Sequence, residues 1–487
     1  MRRRFDVQLA LGLTPIERVS IPLKSRDELP PILAGLQWIF QTPEINEQVF
    51  CLLESKLVAG KKATGRPGLD LWQILVLGVV RLGLDCDYDR LEDLANHHTL
   101  LRQVLGVAPM PGTADKPFHY KTLSENVCHL DEDLLLQING IIAQAGRAVF
   151  KKKDTLEPLR AKTDSYVLET NVHYPTDLNL LWDAQRKCLD LIGPLMSRYD
   201  LPGWRKSKVW RRKLKSQMIG LTRLASGGGA NKEQRRGAAA HDYVRESYRF
   251  EQKLFEAIGS LPAPQSVVEV VQRTSLDYFH TMLIKQLDLV ERRWLGEEKI
   301  PHHEKVFSLF EPHTEFIKKG KLFPPVELGH KLLLTTDQHE LIVDYRVMDQ
   351  PNDADESIGV ADRLAGRYGA GNIASLSFDK GFTREEDRQL LELYIPEVIM
   401  LKRGKRNARE AERETGRSFR ALRNQHHAVE SDINCLEHHG LKRCPDKGLE
   451  GYKRYAGLGV LAYNLHKIGK RLIEKERPKP KEKCFSA

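Results

Sequence analysis

Apolar residues recur at helical spacing from Leu71 through Ile74, Leu75 and Gly78 to Arg81, and Asp70 stands where an N-cap belongs, so the first clear element is a helix from Asp70. A second helix is predicted in DYDRLEDLANHHTLLRQVLGV, with Leu91, Leu94 and Ala95 on one face and Gly106 as its stop. Thr122 and Glu125 have the spacing of a capping box and predict the start of a third. The period then changes. LRAKTDSYVLET alternates as a strand, with Asp164, Tyr166 and Leu168 on one face, and the turn residues Asn171, Pro175 and Asp177 follow it. Residues 178 to about 300 return to helical periodicity. In VELGHKLLLTTDQHELIVDYRVMD two β-rich runs flank Asp337-Gln338-His339-Glu340, a hairpin pattern. Next come a helix (ADESIGVADRLAGRYG), the strand IASLSF ending at Asp379, a helix that Thr383 and Glu386 can cap, the strand EVIML and a helix through HHAVESDIN. No internal repeat is visible.

This order predicts a mixed α/β fold in four parts: a helical N-terminal domain over 1–150, a core assembled from 151–177 and 321–470, a helical insertion over 178–320, and a disordered, charged tail over 471–487. The longest apolar run, LWQILVLGVV, is about half of what a bilayer span requires, and the first residues lack a secretory signal pattern, so the expectation is a soluble cytoplasmic protein with no membrane partner. Seven cysteines without CxxC spacing predict reduced thiols.

Charge adds a partner. Lys and Arg number 76 against 66 acidic residues, a net +10 that suits a polyanion such as nucleic acid or an anionic membrane surface. One basic run holds Arg205, Lys206, Lys208, Arg211, Arg212 and Lys213, with Trp204 and Trp210 beside or within it; a second holds Lys402, Arg403, Lys405 and Arg406. Both suit phosphate contacts, against the plainer reading of solvated, Arg/Glu-laced helix faces. The N-terminal helices allow a helix-turn-helix, or a bundle without DNA contact. GGGANKEQRRG lacks the Gly-Lys-Ser/Thr of a phosphate-binding loop, and the spacing of Cys435, His438, His439 and Cys444 fits no strong zinc pattern.

Asp379 at a strand tip needs a reason, because a buried carboxylate is costly unless it is bonded, paired or holding a metal. Asp164 inside the first strand and Glu430 on a later helix extend it to a set of three, the donor set that two-metal phosphoryl transfer requires. Each alone is more often a turn residue or a solvated helix position. Asp337 and Asp344 compete with Asp379 for the second place, although Asp337 lies in the hairpin turn, where local hydrogen bonding accounts for it. His426, one helical turn before Glu430, could touch a phosphate, a flipped base or a metal-bound water, or simply lie on the helix surface.

The segments SLSFDKGF, TDSYVLETNVHYPTD, FEPHTEFIKKGK with PVELGHK, and HHAVESDINCLEHHGLKRCPDKGLEGYKRYAGLGVLAYNLHKIG together resemble the DDE transposases of bacterial insertion sequences, the ISNCY group in particular. The resemblance extends from GRPGLDLWQILVLGVVRLGL to the last helix. It implies a ribonuclease H-like core and Mg²⁺-dependent DNA strand cleavage and transfer, with Mn²⁺ able to substitute. It also implies an Asp-Asp-Glu triad at Asp164, Asp379 and Glu430, and a homodimer or larger assembly on double-stranded DNA in the bacterial nucleoid. Where related enzymes carry Tyr, Arg and Lys around the catalytic Glu, this chain has Arg423, His426 and Glu437. Two rival readings are a DNA-binding protein that has lost catalysis and a structure-selective nuclease without strand transfer.

Overall fold

The computed structural model describes residues 2–5, 13–60, 68–108, 117–151, 157–204, 207–229, 231–318, 325–349 and 352–478. Helices α1 (Leu29–Gln41), α2 (Pro43–Leu57), α3 (Leu71–Gly83), α4 (Tyr88–His97), α5 (Thr99–Val104), α6 (Tyr120–Val127) and α7 (Glu132–Phe150) precede strand β1 (Leu159–Thr170). Then come α8 (Asp177–Arg198), α9 (Ser207–Ser226), α10 (Lys232–Ser260) and α11 (Val267–Trp294). The remainder runs β2 (Glu315–Lys318), β3 (Val326–Thr336), β4 (Ile342–Val347), α12 (Ser357–Tyr368), β5 (Ile373–Phe378), α13 (Glu385–Leu391), β6 (Glu397–Ile399), α14 (Ala408–Thr415), α15 (Arg417–His426), α16 (Ala428–Leu436), β7 (Arg443–Cys444) and α17 (Gly448–Glu476). The chain divides into two compact units, residues 1–171 with 317–487, and residues 172–316.

Local chemistry explains some helix ends. Asp70 caps α3 by accepting from the Gln73 amide at 2.7 Å, and the Gln73 side chain answers to the Asp70 amide. The expected second helix is two, α4 and α5, because His98 leaves the helical conformation and its Nδ1 accepts from the Leu101 amide. The two other expected capping boxes do not form: Thr122 lies inside α6 and Thr383 precedes α13, whose N-cap is Arg384. At α6 the amide of Tyr120 is satisfied from outside, by Glu92 of α4 at 2.7 Å, so the local box is not needed.

The first 150 residues do not have a core of their own. Leu33, Leu36, Leu75, Val79, Leu135 and Ile138 share one apolar cluster with Tyr166 and Leu168 of β1, Leu332 and Leu334 of β3, and Leu458, Leu461 and Leu465 of α17. The backbones of α1 and α17 come close because both helices carry glycine where they cross. A Cβ at Gly35 would lie 2.2 Å from the Leu465 carbonyl oxygen, and one at Gly469 1.8 Å from that of Pro31. Asn464 of α17 completes the junction: it accepts from the Ile342 amide and donates to the Asn139 side chain of α7, each at 2.8 Å. Buried amide pairs of this kind fix register as well as adding stability. The helix-turn-helix expectation also meets an obstacle. Almost all of α3 is buried, and the exposed side of α4 carries Asp89 and Asp93 beside Arg90, a poor surface for a phosphate backbone.

In the sheet, β3 lies between β1 and β4 and is antiparallel to both, while β5 runs parallel to β1 on its other side and β6 parallel to β5. The order is therefore β4-β3-β1-β5-β6, with β2 beside β3 and β7 beside β1. Alternation along β1 divides its side chains between two layers. Tyr166 and Leu168 share a face, as expected, and it packs on the N-terminal helices and α17, whereas Leu159 and Ala161 face a second cluster with Val360 and Leu364 of α12 and Leu391 of α13. The architecture is mixed α/β, a helix-rich N-terminal region followed by a mixed sheet flanked by helices.

Of the tail expected to be disordered over 471–487, residues 471–476 are helical and residues 479–487 lie outside the described residues. Helix α17 continues to Glu476: Leu472 packs against the core, Ile473 is buried, and Arg477 Nε donates to the Leu23 carbonyl at 2.7 Å. Residues 172–316 form a helical unit whose own core contains Leu181, Leu214, Tyr243, Phe250, Leu283 and Leu287. Among the described residues no helix is long and apolar enough to cross a membrane, and the cysteines are free.

Candidate active site

Register brings the first two carboxylates together. Thr163 of β1 pairs in parallel with Phe378, the last residue of β5, so Asp164 and Asp379 occupy the next position on each of two adjacent strands. The chain turns immediately after Asp379, whose carboxylate caps the turn by accepting weakly from the Gly381 amide at 3.4 Å. Glu430 comes from the first turn of α16, which packs on β1, and its side chain is exposed. The Asp164 carboxylate accepts from the Ser165 amide at 2.7 Å.

The electrostatics show the convergence. Burial pushes the Asp164 carboxyl up to about 7; the bond from Ser165 opposes this, and the nearby charges of Asp379, Asp353 and Glu430 add to it. Of these four carboxylates only Asp353 has a cation beside it among the described residues, Lys331, so the negative charge of the site is only partly matched. Asp353 was not among the residues expected from sequence. Its oxygens accept from Ser165 Oγ at 2.7 Å and from Lys331 Nζ at 2.6 Å. Asp353 and Asp379 both border Gly381, where a Cβ would stand 3.3 Å from Asp353 Oδ2 and 3.7 Å from Asp379 Oδ2. Nothing local marks Asp353 in the sequence, because it sits in a single 3₁₀ turn and its partners lie 188 and 22 residues away.

Asp337 and Asp344 are accounted for elsewhere. Asp337 accepts from the amides of His339 and Leu341 and meets Arg147 at 3.3 Å, as a turn residue should. Asp344 accepts from Arg363 Nε at 2.8 Å. His426 is half-buried, with Nδ1 3.0 Å from Ser377 Oγ. Burial pushes its imidazole down to about 4, against the pull of Asp379, so the ring is neutral at pH 7. The expected phosphate contact is therefore not a charged one, and the ring instead ties α15 to β5.

The two basic runs are placed differently in the structure. Arg205 and Lys206 lie outside the described residues. On α9, in the helical unit, Lys208 and Arg212 are exposed with no ion-pair partner among the described residues, whereas Arg211 pairs with Asp190, and Lys213 with Glu246 at 2.5 Å. Trp204 and Trp210 pack against Phe250, with ring centroids 6.1 and 5.6 Å away, and so belong to the core and offer no platform for stacking bases. In the second run Lys402 pairs with Glu410, Arg406 with Glu414 at 2.7 Å, and Arg403 donates to the carbonyls of Lys380 and Gly381; Lys405 is exposed. Arg403 therefore braces the turn that carries Asp379.

Carboxylate oxygens are the donors that a hard divalent cation takes, and Asp164, Asp379, Glu430 and Asp353 supply them at one end of the sheet. Among the described residues no three acidic, histidine or cysteine side chains stand close enough together to hold a metal ion. The donors are all carboxylate oxygens, the type that Mg²⁺ takes, and those of Asp379 and Glu430 are exposed. No protein-family model matches the chain, and no curated protein and no solved structure is significantly similar to it.

Proposed function

We propose that the chain is a DNA transposase of the DDE type, with Asp164, Asp379 and Glu430 as its catalytic carboxylates, a ribonuclease H-like core, and Mg²⁺ or Mn²⁺ as its cofactor. The observation that carries the reading is the parallel pairing of β1 with β5, which sets Asp164 and Asp379, far apart in sequence, side by side at one end of the sheet. The strand order β4-β3-β1-β5-β6, with β3 alone antiparallel to its neighbours on this path, supports it, being the order of the ribonuclease H-like fold. Asp164, Asp379 and Glu430 would hold the metal. When bound, Mg²⁺ supplies Lewis-acid polarisation of the scissile phosphate and lowers the pKa of the attacking hydroxyl.

The chain's own residues do the rest. The paired ends of β1 and β5 set the spacing of Asp164 and Asp379, and Arg403 holds the backbone after Asp379 in place. Asp353, anchored by Ser165 and Lys331, stands behind Gly381 and positions that turn. A water oxygen attacks the phosphorus at the element's end, and the 3′ oxygen leaves with a proton to become a hydroxyl. That hydroxyl then attacks a target phosphorus in line: the new P–O bond forms as the bond to the target's own 3′ oxygen breaks, and that oxygen leaves as a hydroxyl, the proton lost by the attacking group balancing the one it gains. Lys208 and Arg212 of α9 add salt-dependent affinity for the DNA backbone. Joining two ends to one target calls for a homodimer or larger assembly on double-stranded DNA.

The test uses the full chain with duplex DNA carrying the sequences that flank its own gene, with and without Mg²⁺, beside Asp379→Asn, with both strands followed on a denaturing gel. Nicking that needs Mg²⁺ and Asp379, followed by joined products, is the expected result. Nicking without joining makes the protein a nuclease. Binding without cleavage, in Mg²⁺ or Mn²⁺, makes it a DNA-binding protein with a relic of the site.

A further inference from the structure

Strands β1 and β5 carry a polar stripe on one face of the sheet. Their parallel register sets Arg160 against Ser375 and Lys162 against Ser377, and the next step along the same face is Asp164 with Asp379. Further along β1 that face carries Tyr166 and Leu168 into the apolar core. Polar side chains at such positions need partners or a wet space of their own. Here there is a space: a cavity of about 280 Å³ lies over the stripe, bordered by Arg160, Lys162, Ser375 and Ser377 from the strands and by Leu422 and Gln425 of α15.

Lys162 is 8 % exposed, and among the described residues its amine makes no hydrogen bond and no ion pair. A buried ammonium without either is costly. The amine is not sealed in, however: the unmatched side-chain nitrogens that solvent cannot reach do not include it, so it opens onto the cavity that the residue lines. The same holds for the hydroxyl of Ser375, a residue 3 % exposed. The charge of Lys162 is felt by His426 at the end of α15 and by Asp432 of α16, which puts it in the gap between the sheet and those helices. Asp432 itself accepts from the Tyr463 hydroxyl at 2.9 Å. Arg160 and Gln425 are exposed, so the cavity is reached from solvent, and neither side chain has a partner among the described residues. Two acids also border it, of which Glu340 pairs with Lys467 and Glu157 is exposed.

An ammonium, a guanidinium, a hydroxyl and a carboxamide are all hydrogen-bond donors, two of them charged. Donors of that kind select a ligand with several acceptor oxygens and negative charge. We propose that this cavity binds a phosphate group, held by Lys162 together with Ser375 and Arg160. That the group belongs to a DNA strand rests on the proposed function. Lys162 stands two residues from Asp164, about 7 Å along the strand, close to the separation of neighbouring phosphates on one nucleic-acid chain. The cavity would then hold the phosphate next to the one that is cut. Free phosphate presents the same oxygens.

The test is an equilibrium titration of the full chain, in EDTA, with inorganic phosphate, with the thymidine dinucleotide TpT, and with the same dinucleotide carrying a neutral methylphosphonate linkage. All three are repeated with Lys162→Met and with Arg160→Gln, the latter a change at an exposed position. Phosphate and TpT should bind the parent and the neutral dinucleotide should not. Lys162→Met should weaken both anions about ten- to a hundredfold, as loss of a charged hydrogen bond does, and Arg160→Gln should weaken them severalfold. Should Lys162→Met fail to fold, Arg160→Gln decides alone. Binding of phosphate without TpT upholds the pocket and removes the DNA strand from it. Binding of the charged and neutral dinucleotides alike, or of the anions equally to parent and variants, overturns the proposal. So does the absence of any binding to the parent, and Mg²⁺-dependent nicking, read separately, would still leave the transposase reading standing.

Discussion

In the sheet-bearing unit negative charge gathers at one end of β1 and β5, where Asp379, Asp353 and Glu430 add to the load on the buried carboxyl of Asp164. In the helical unit a run of positive charge lies along the exposed side of α9, at Lys208 and Arg212. The first arrangement is one that a cation or a proton must relieve; the second is one that water and salt tolerate. The comparison teaches that a run of charge in sequence is a poor measure of charge on offer. The basic run at 402–406 reads like the one at 205–213, yet Lys402 and Arg406 already have acidic partners on α14.

The largest effect expected concerns the carboxylates. Asp379→Asn and Glu430→Gln should each lower Mg²⁺-dependent cleavage by about 10³-fold or more, the rate equivalent of several kcal/mol of charge stabilisation, while DNA affinity in EDTA stays unchanged. A gel-based rate assay beside an anisotropy titration separates the two. Variants that cleave normally would leave the negative cluster a structural feature.

Next is stability without metal. The folded chain keeps the Asp164 proton up to about pH 7, whereas the unfolded chain releases it near the usual carboxylate value. The folded state thus binds more protons between the two values, and its stability falls as pH rises from about 4 to about 7. Asp164→Asn removes that burden and should stabilise the protein in EDTA at pH 8 by up to about 4 kcal/mol, with the gain vanishing toward pH 4. Urea denaturation at the two pH values measures it; a loss of stability at pH 8 would show that burial and the neighbouring carboxylates do not hold the Asp164 proton.

A smaller effect tests the positive side of the comparison. Lys208→Ala with Arg212→Ala should weaken DNA binding about tenfold at low salt and reduce the salt slope by about 2, one unit per lost phosphate contact. An unchanged slope would mean that α9 is only a solvated helix face. The smallest effect belongs to Arg406→Ala, which should leave DNA affinity and salt slope alone and lower Tm by about 1–3 °C through the loss of Glu414's partner. If Arg406→Ala instead changes the slope as the α9 pair does, the contrast between the two runs is lost.

Much of the element order was legible because it rests on period and on short-range chemistry. The alternation that places Tyr166 and Leu168 on one face of β1, the turn around Asp337, the cap at Asp70 and the long helical stretch after residue 177 all follow from residues within a few positions of one another. Asp164, Asp379 and Glu430 could be nominated for the same reason, each as a carboxylate at an element where one is unusual. One local expectation, the capping box at Thr122, failed where a distant group supplied the bond, as Glu92 did for the amide of Tyr120, and another, the single helix from Asp87, failed to a local cap at His98.

The sequence by itself therefore determined the periodic elements, the excess of positive charge and the residue types available for chemistry, since these depend on composition and spacing alone. Only the tertiary structure decided that the first seven helices share a core with the sheet, that Trp204 and Trp210 face inward, and that Asp353 joins the carboxylates. It also decided which basic residues already have partners. The physical reason is the same in each case: burial and ion pairing are set by neighbours in space, and the parallel register of β1 with β5 brings together residues more than two hundred positions apart.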